Sequence, residues 1–237
     1  MIVIDELNTL YEEIRACHIC PKMDKEKALR LVRAVNPKND VFIISQTLAA
    51  DQLRRSGVDF FQADGKLGNT GATLEKFLNR FNRTAYPYQE VVTLGDTVIP
   101  KCTAGSLSVY NTEIAQCYPG RNRSGKGDRL PKSDEIYNCI SKGFLIKEIQ
   151  LMKPTLVLLM GKASRDSFFK HILHVPYPNS LSAHIDSIVE SRAIPYFYLG
   201  GIGVYVLPIQ HSSGANPRFY GMMNNDRLVE LVVEALE

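Results

Sequence analysis

Apolar residues along this chain fall into two patterns, short solid runs and longer stretches at helical spacing. Val41-Phe42-Ile43-Ile44, Thr155-Leu156-Val157-Leu158-Leu159-Met160 and Tyr205-Val206-Leu207-Pro208-Ile209 are compact and rich in branched side chains, as strands buried on both faces require. Leu107-Ser108-Val109-Tyr110 is a further strand candidate that ends at Asn111-Thr112. Helical spacing predicts a short helix from Leu7 to Ala16. It predicts another over residues 73–81, carried by Leu74, Phe77, Leu78 and Phe81, with Asn69-Thr70-Gly71 as its turn and cap. Ile136, Ile140, Phe144 and Leu151 predict one helix from Ser133 to Met152, with Ser133 as cap and Asp134 and Glu135 in the first turn. Gly161-Lys162-Ala163-Ser164 opens a helix, and Asp226 to Leu236 forms a last amphipathic one. Residues 84–107 read as an irregular or hairpin insertion.

Strands alternating with helices predict the α/β class, a three-layer αβα sandwich around a mainly parallel central sheet. With 237 residues, 45% of them hydrophobic, and no linker or repeat, the chain is expected to fold as one domain over 1–237. In such folds ligands bind beyond the carboxyl ends of the strands. Three such ends carry polar residues: Ser45-Gln46-Thr47, Asn111-Thr112 and His211-Ser212-Ser213.

A formal charge of +3 is only mildly basic, but Arg121, Arg123, Lys126, Arg129 and Lys132 crowd into one segment opposed by Asp128. That crowding suits either a solvated loop or a phosphate-binding face. The N-terminus lacks a basic segment leading into an apolar one, and no apolar run approaches membrane-spanning length. A cytoplasmic protein without membrane contact is expected, working as a monomer.

Cys17 and Cys20 form a C-x-x-C pair, and Cys117 and Cys139 lie far downstream. In a reducing compartment this spacing points to metal more than to disulfides, and it leaves zinc and an iron–sulfur cluster both open. His18, between the first two cysteines, is a further possible ligand, and Cys102 reads as an ordinary thiol.

Tyr110-Asn111-Thr112-Glu113-Ile114-Ala115-Gln116-Cys117-Tyr118-Pro119-Gly120-Arg121-Asn122-Arg123 resembles a segment of the iron–sulfur (family four) uracil-DNA glycosylases. There a strand ends in Asn and leads to Cys-Arg-Pro-Pro-x-Asn-Arg. Lys153-Pro154 through Gly161-Lys162-Ala163, His211-Ser212-Ser213 and Gly68-Asn69-Thr70-Gly71-Ala72-Thr73-Leu74 resemble further segments of that family, in the same order. The resemblance implies excision of a deaminated base, uracil by preference, from DNA, and a structural [4Fe–4S] cluster on Cys17, Cys20, Cys117 and Cys139, with zinc as the alternative. It implies His211 as donor to the departing base and Asn111 as reader of the base edge. Phe60 or Phe61 would stack on the base, while Arg121, Arg123, Ser212 and Ser213 would contact phosphates. The first motif departs: the family's Gly-Glu-x-Pro-Gly is Ser45-Gln46-Thr47-Leu48-Ala49 here. Gln46 has no useful proton affinity, so it is expected to orient water rather than to act as a base. The missing carboxylate leaves a second reading open, a non-catalytic protein of the same fold that binds nucleic acid. A small-molecule hydrolase finds no support, since the chain has no G-x-S-x-G elbow, P-loop or H-E-x-x-H.

Overall fold

The computed structural model describes residues 2–20, 39–47, 60–62, 64–87, 91–94, 97–100, 105–125, 128–213 and 216–237. Cys102 and Lys126 lie outside them. In chain order the elements are α1 (Ile2–Ala16), β1 (Val41–Ser45), α2 (Asn69–Leu78), β2 (Arg83–Thr84), β3 (Val91–Leu94), β4 (Thr97–Pro100), β5 (Leu107–Ser108) and β6 (Tyr110–Glu113). There follow α3 (Ser133–Ser141), α4 (Phe144–Met152), β7 (Leu156–Met160), α5 (Lys162–Phe168), α6 (Leu181–Ser191), β8 (Tyr196–Leu199), β9 (Ile202–Ile209), α7 (Pro217–Met223) and α8 (Asp226–Leu236).

The main sheet runs β6-β1-β7-β9-β8, parallel except for β8 against β9. Because side chains alternate along each strand, the solid apolar runs feed both faces. Val41, Ile43, Leu156, Leu158, Met160, Leu207 and Ile209 pack with Leu74 and Phe77 of α2, Ile185 of α6, Phe219 of α7 and Leu228 and Val232 of α8. Phe42, Ile44, Val157, Leu159, Val204 and Val206 pack on the other face with Leu7 of α1, Ile136 of α3, Leu145 and Ile149 of α4 and Phe168 of α5. Each fully buried aliphatic side chain adds about 1.5–3 kcal/mol against exposure. The result is the expected αβα sandwich. Pro208 is tolerated in β9 because it lies past the last β8 pair, Tyr196↔Tyr205, where its missing N–H breaks no ladder with β8. Within the insertion, β3 and β4 form an antiparallel hairpin.

Three local expectations need correction. The helix expected from Ser133 to Met152 is two helices, because Gly143 takes a left-handed φ of 70° that ends one and starts the next. Ser133 is its first helical residue rather than its cap. Glu135 instead reaches back to accept the Lys132 N–H at 2.8 Å. Asn69-Thr70-Gly71 is likewise inside α2, whose start follows Gly68. Gly71 lets that helix approach the chain before it, since a Cβ there would sit 2.6 Å from Phe60 Cβ.

A buried ring gives the fold a pH limit. His184 of α6 is 5% exposed and packs edge-on against Phe169, with ring centroids 4.9 Å apart. Burial, then the nearby Arg165 charge, lower its pKa to about 4. The unfolded chain therefore binds this proton more readily than the folded one, so stability is complete above pH 6.5 and falls as pH drops toward 4. The loss should approach about 3 kcal/mol. Urea unfolding at pH 7 and pH 4.5 measures it, and His184→Phe should flatten that part of the profile.

Candidate active site

The carboxyl ends of β1, β7 and β9 open into one cleft of about 340 Å³. Its walls are Ser45, Gln46 and Thr47 after β1, Gly161, Lys162 and Ala163 after β7, and His211 after β9. Phe60, Thr70, Met160 and the loop residues Asp128, Arg129 and Leu130 complete it. The turn after β7 needs glycine: Gly161 has φ +87°, and its open side faces His211, whose Cβ and Cδ2 lie 3.6 Å from where a Cβ would be.

His211 keeps an exposed edge, yet loss of hydration around its ring lowers its pKa below the ordinary imidazole value, so it is neutral at pH 7. Its Nδ1 accepts the Ser213 N–H at 3.2 Å. That bond assigns the tautomer, with the proton on Nε2, and leaves Nε2–H as the ring's donor. Asn216 holds the loop by donating Nδ2–H to the His211 carbonyl (2.9 Å) and accepting the Arg218 N–H.

Asn111 lies within β6, level with Ile43 of β1, and not past the strand end as expected. Register and alternation place it on the Ile43 face of the sheet, where Phe60 also packs. It is only half-buried, but its Oδ1 is buried without a hydrogen-bond partner among the described residues. A buried amide oxygen left unpaired costs roughly 1–3 kcal/mol and asks for a donor.

The other face of β6 is pinned by a carboxylate. Glu148 of α4, fully buried, accepts from Tyr110 Oη (3.0 Å), Thr112 Oγ1 (2.7 Å) and Gln116 Nε2 (3.3 Å). Tyr110 Oη in turn hydrogen-bonds Tyr11 Oη of α1. One residue thus ties both chain neighbours of Asn111 to the helix layer. Glu148→Ala should destabilise the fold by about 3 kcal/mol, read from urea midpoints, because Tyr110 and Thr112 lose a shared buried acceptor, while Gln116 Nε2 keeps the Glu113 carbonyl at 2.8 Å.

Gln46, Phe60 and His211 therefore share the cleft, with Asn111 on the adjoining strand. Phe60 faces the cleft from a left-handed backbone (φ 70°), whereas Phe61 packs edge-on against Tyr86 at 5.5 Å and does not line it. Arg121 and Arg123 are exposed on the neighbouring loop. Ser213 is half-buried, but Ser212 is fully buried, donating to Met160 Sδ at 3.3 Å, so its hydroxyl reaches no phosphate in this conformation. Arg129 is clamped on Glu135 by two bonds of 2.6 and 2.7 Å, which raise the arginine pKa and lower that of the carboxyl. Its charge is already compensated. Sequence reasoning overlooked Asp128 and Leu130 as cleft residues; the bridge between Arg121 and Asp128 and the bond from Arg129 N–H to the Gly120 carbonyl (2.9 Å) hold them there.

The cysteines gather at a separate corner. Cys17 follows α1, Cys139 lies on α3, and Cys20 packs against Cys117; none of the four is in a disulfide. Asn138 Nδ2 donates to Cys20 Sγ at 3.5 Å. Burial pushes the Cys20 thiol up and the Asn138 bond opposes it, while Cys139, Glu135 and Cys17 lie near enough to push it further up. Among the described residues no set of three or more His, Cys, Asp or Glu side chains is arranged to hold a metal ion. His18 is exposed beside this corner.

Comparison with known families matches residues 32–237 to the uracil DNA glycosylase superfamily. The chain belongs to that superfamily. Comparison with individual curated proteins finds no match. Superfamily members act on DNA, and the cleft at the carboxyl edge of the sheet, with His211 in its wall, is where this chain's fold brings polar side chains together. Among the described residues no helix is long and apolar enough to cross a membrane.

Proposed function

We propose that this protein is a monofunctional DNA glycosylase that flips out a deaminated base, uracil by preference, and hydrolyses its N-glycosidic bond. The observation that carries this reading is the neutral His211 with Nδ1 engaged by Ser213. Its Nε2–H is a preset donor for a carbonyl oxygen that becomes anionic as the base departs. Asn111 complements it: an amide both donates and accepts, matching the adjacent carbonyl and N–H of a uracil edge, and its Oδ1 awaits a donor. Phe60 offers a ring to the extruded base. The bond from C1′ breaks with its electron pair leaving on the base, Gln46 helps to place water, and hydrolysis leaves an abasic site with the backbone intact. Lys162 lines the cleft but is ion-paired with Asp166, which disfavours it as a lyase nucleophile.

The C-x-x-C spacing and the packing of Cys20 against Cys117 support a structural [4Fe–4S] cluster held by Cys17, Cys20, Cys117 and Cys139, with zinc as the alternative, although the four thiols do not form a metal site in this conformation. When bound it would cross-link α1, α3 and the loop at Cys117, a stabilising role with no part in bond breaking. Iron, sulfide and zinc analysis of anaerobically purified protein distinguishes the two.

The exposure of Arg121 and Arg123 on the loop beside the cleft supports a role for them in contacting DNA phosphates. Replacing either should flatten the salt dependence of DNA affinity by about one unit of log–log slope, while Arg129→Ala should change the slope little and lower stability instead. The reading is tested with oligonucleotides carrying uracil, hypoxanthine or xanthine, followed by alkali. Scission at uracil is expected, faster in single strands and mismatches, where unpairing costs less. The lack of a carboxylate in the first loop favours a second reading, a non-catalytic binder, which predicts DNA affinity with no scission on any substrate.

A further inference from the structure

The cleft contains a carboxylate that its first loop does not supply. Asp128 lines it together with Gln46, Phe60 and His211. The hydroxyl of Tyr118, itself 2% exposed, donates to Asp128 Oδ1 at 2.7 Å. Arg121 Nε lies 3.9 Å from the same oxygen, and an antiparallel backbone bridge joins Arg121 to Asp128. The next residue, Arg129, is fixed by its two bonds to Glu135 and by its N–H to the Gly120 carbonyl. Asp128 is thus held on both sides by ordered contacts. Serving only as countercharge to Arg121 would not explain this, since a half-exposed pair at 3.9 Å contributes about 0–1 kcal/mol and needs neither a buried tyrosine nor a place in the cleft.

We propose that Asp128 is the general base of the reaction, standing in from another loop for the carboxylate that Gln46 cannot provide; this rests on the glycosylase reading above. The C1′–N bond breaks and its electron pair leaves on the base, stabilised by His211. The water oxygen bonds to C1′, and the proton that water loses passes to the Asp128 carboxylate, which returns it to solvent. The base anion takes a proton from solvent, so one water is consumed per base released. Among the described residues, the charged and titratable groups around Asp128 include Tyr118 and Arg121 on its own loop, Arg129 paired with Glu135, Lys162 paired with Asp166, and His211 across the cleft.

The test is single-turnover release of uracil from a single-stranded oligonucleotide, alongside binding to one bearing a fluorinated, non-cleavable deoxyuridine. Asp128→Asn should lower the rate by about 10²-fold or more with binding unchanged, and Asp128→Glu should restore part of it. Tyr118→Phe should lower the rate of release several-fold with binding unchanged, because the bond that orients the Asp128 carboxylate is gone. Tyr118→Phe also carries the test should Asp128→Asn fail to fold. Release at the wild-type rate by Asp128→Asn, or by Tyr118→Phe, overturns the role of Asp128 and leaves the glycosylase reading standing. No release by the wild type overturns both.

Discussion

His211→Ala is expected to lower single-turnover base release by about 10²–10³-fold while changing DNA affinity little, because the lost interaction forms only as charge reaches the departing base. The geometry makes this side chain a specialised donor. Its Nδ1 is committed to the Ser213 N–H, its ring is desolvated enough to be neutral, and Gly161 leaves room beside it. Protonation at low pH would place a hydrogen on Nδ1 facing the Ser213 N–H, two donors in opposition, so the loop should rearrange as well. Asn111→Ala should cost a comparable factor but act differently. It removes the group that reads the base edge, so discrimination between uracil and cytosine should fall with the rate. Both readouts come from the same assay on paired substrates.

Cys20→Ser is expected to abolish iron binding and to lower Tm by roughly 6–12 °C, as a loss of about 3 kcal/mol would in a domain of this size. A metal held by the four cysteines would cross-link α1, α3 and the loop at Cys117, and the Cys20 thiol is buried against Cys117 with the Asn138 amide donating to it. Without a metal, a buried sulfur cluster brings little stability and disfavours thiolates; with one, the same burial protects the site. Metal content and thermal unfolding report on this whether or not the enzyme turns over. A Cys20→Ser protein that keeps full iron and an unchanged Tm would remove the cluster from the picture.

Elements whose formation depends on local pattern were legible in the sequence. The solid runs at Val41, Leu156 and Tyr205 are strands of the central sheet, and Asp226 to Leu236 is a helix with the bounds its spacing predicts. Register was not legible, because it is set by pairing between distant segments. Val109 divides the run expected as one strand, so Leu107–Ser108 pairs with β2 while Tyr110–Glu113 joins the main sheet as an edge strand that includes Asn111. Apolar spacing also continued across Gly143, where the backbone breaks the helix for a reason that periodicity does not encode. In the site, residue type identified His211 and Gln46 as cleft residues, but partners decided the rest. Ser212 turned inward to Met160, Arg129 was taken by a carboxylate six positions on, and Asp128 entered the cleft through loop closure.

Base release itself is the most direct measurement. Metal-loaded protein is incubated with a single-stranded oligonucleotide containing one uracil, and free base and strand are separated and weighed by mass spectrometry. Free uracil together with an intact strand lighter by the replaced base, with both signals lost in His211→Ala and Asn111→Ala, is the predicted result. Tight binding of the oligonucleotide with no free base from the wild-type protein would contradict it, and would make this chain a binder built on a glycosylase fold.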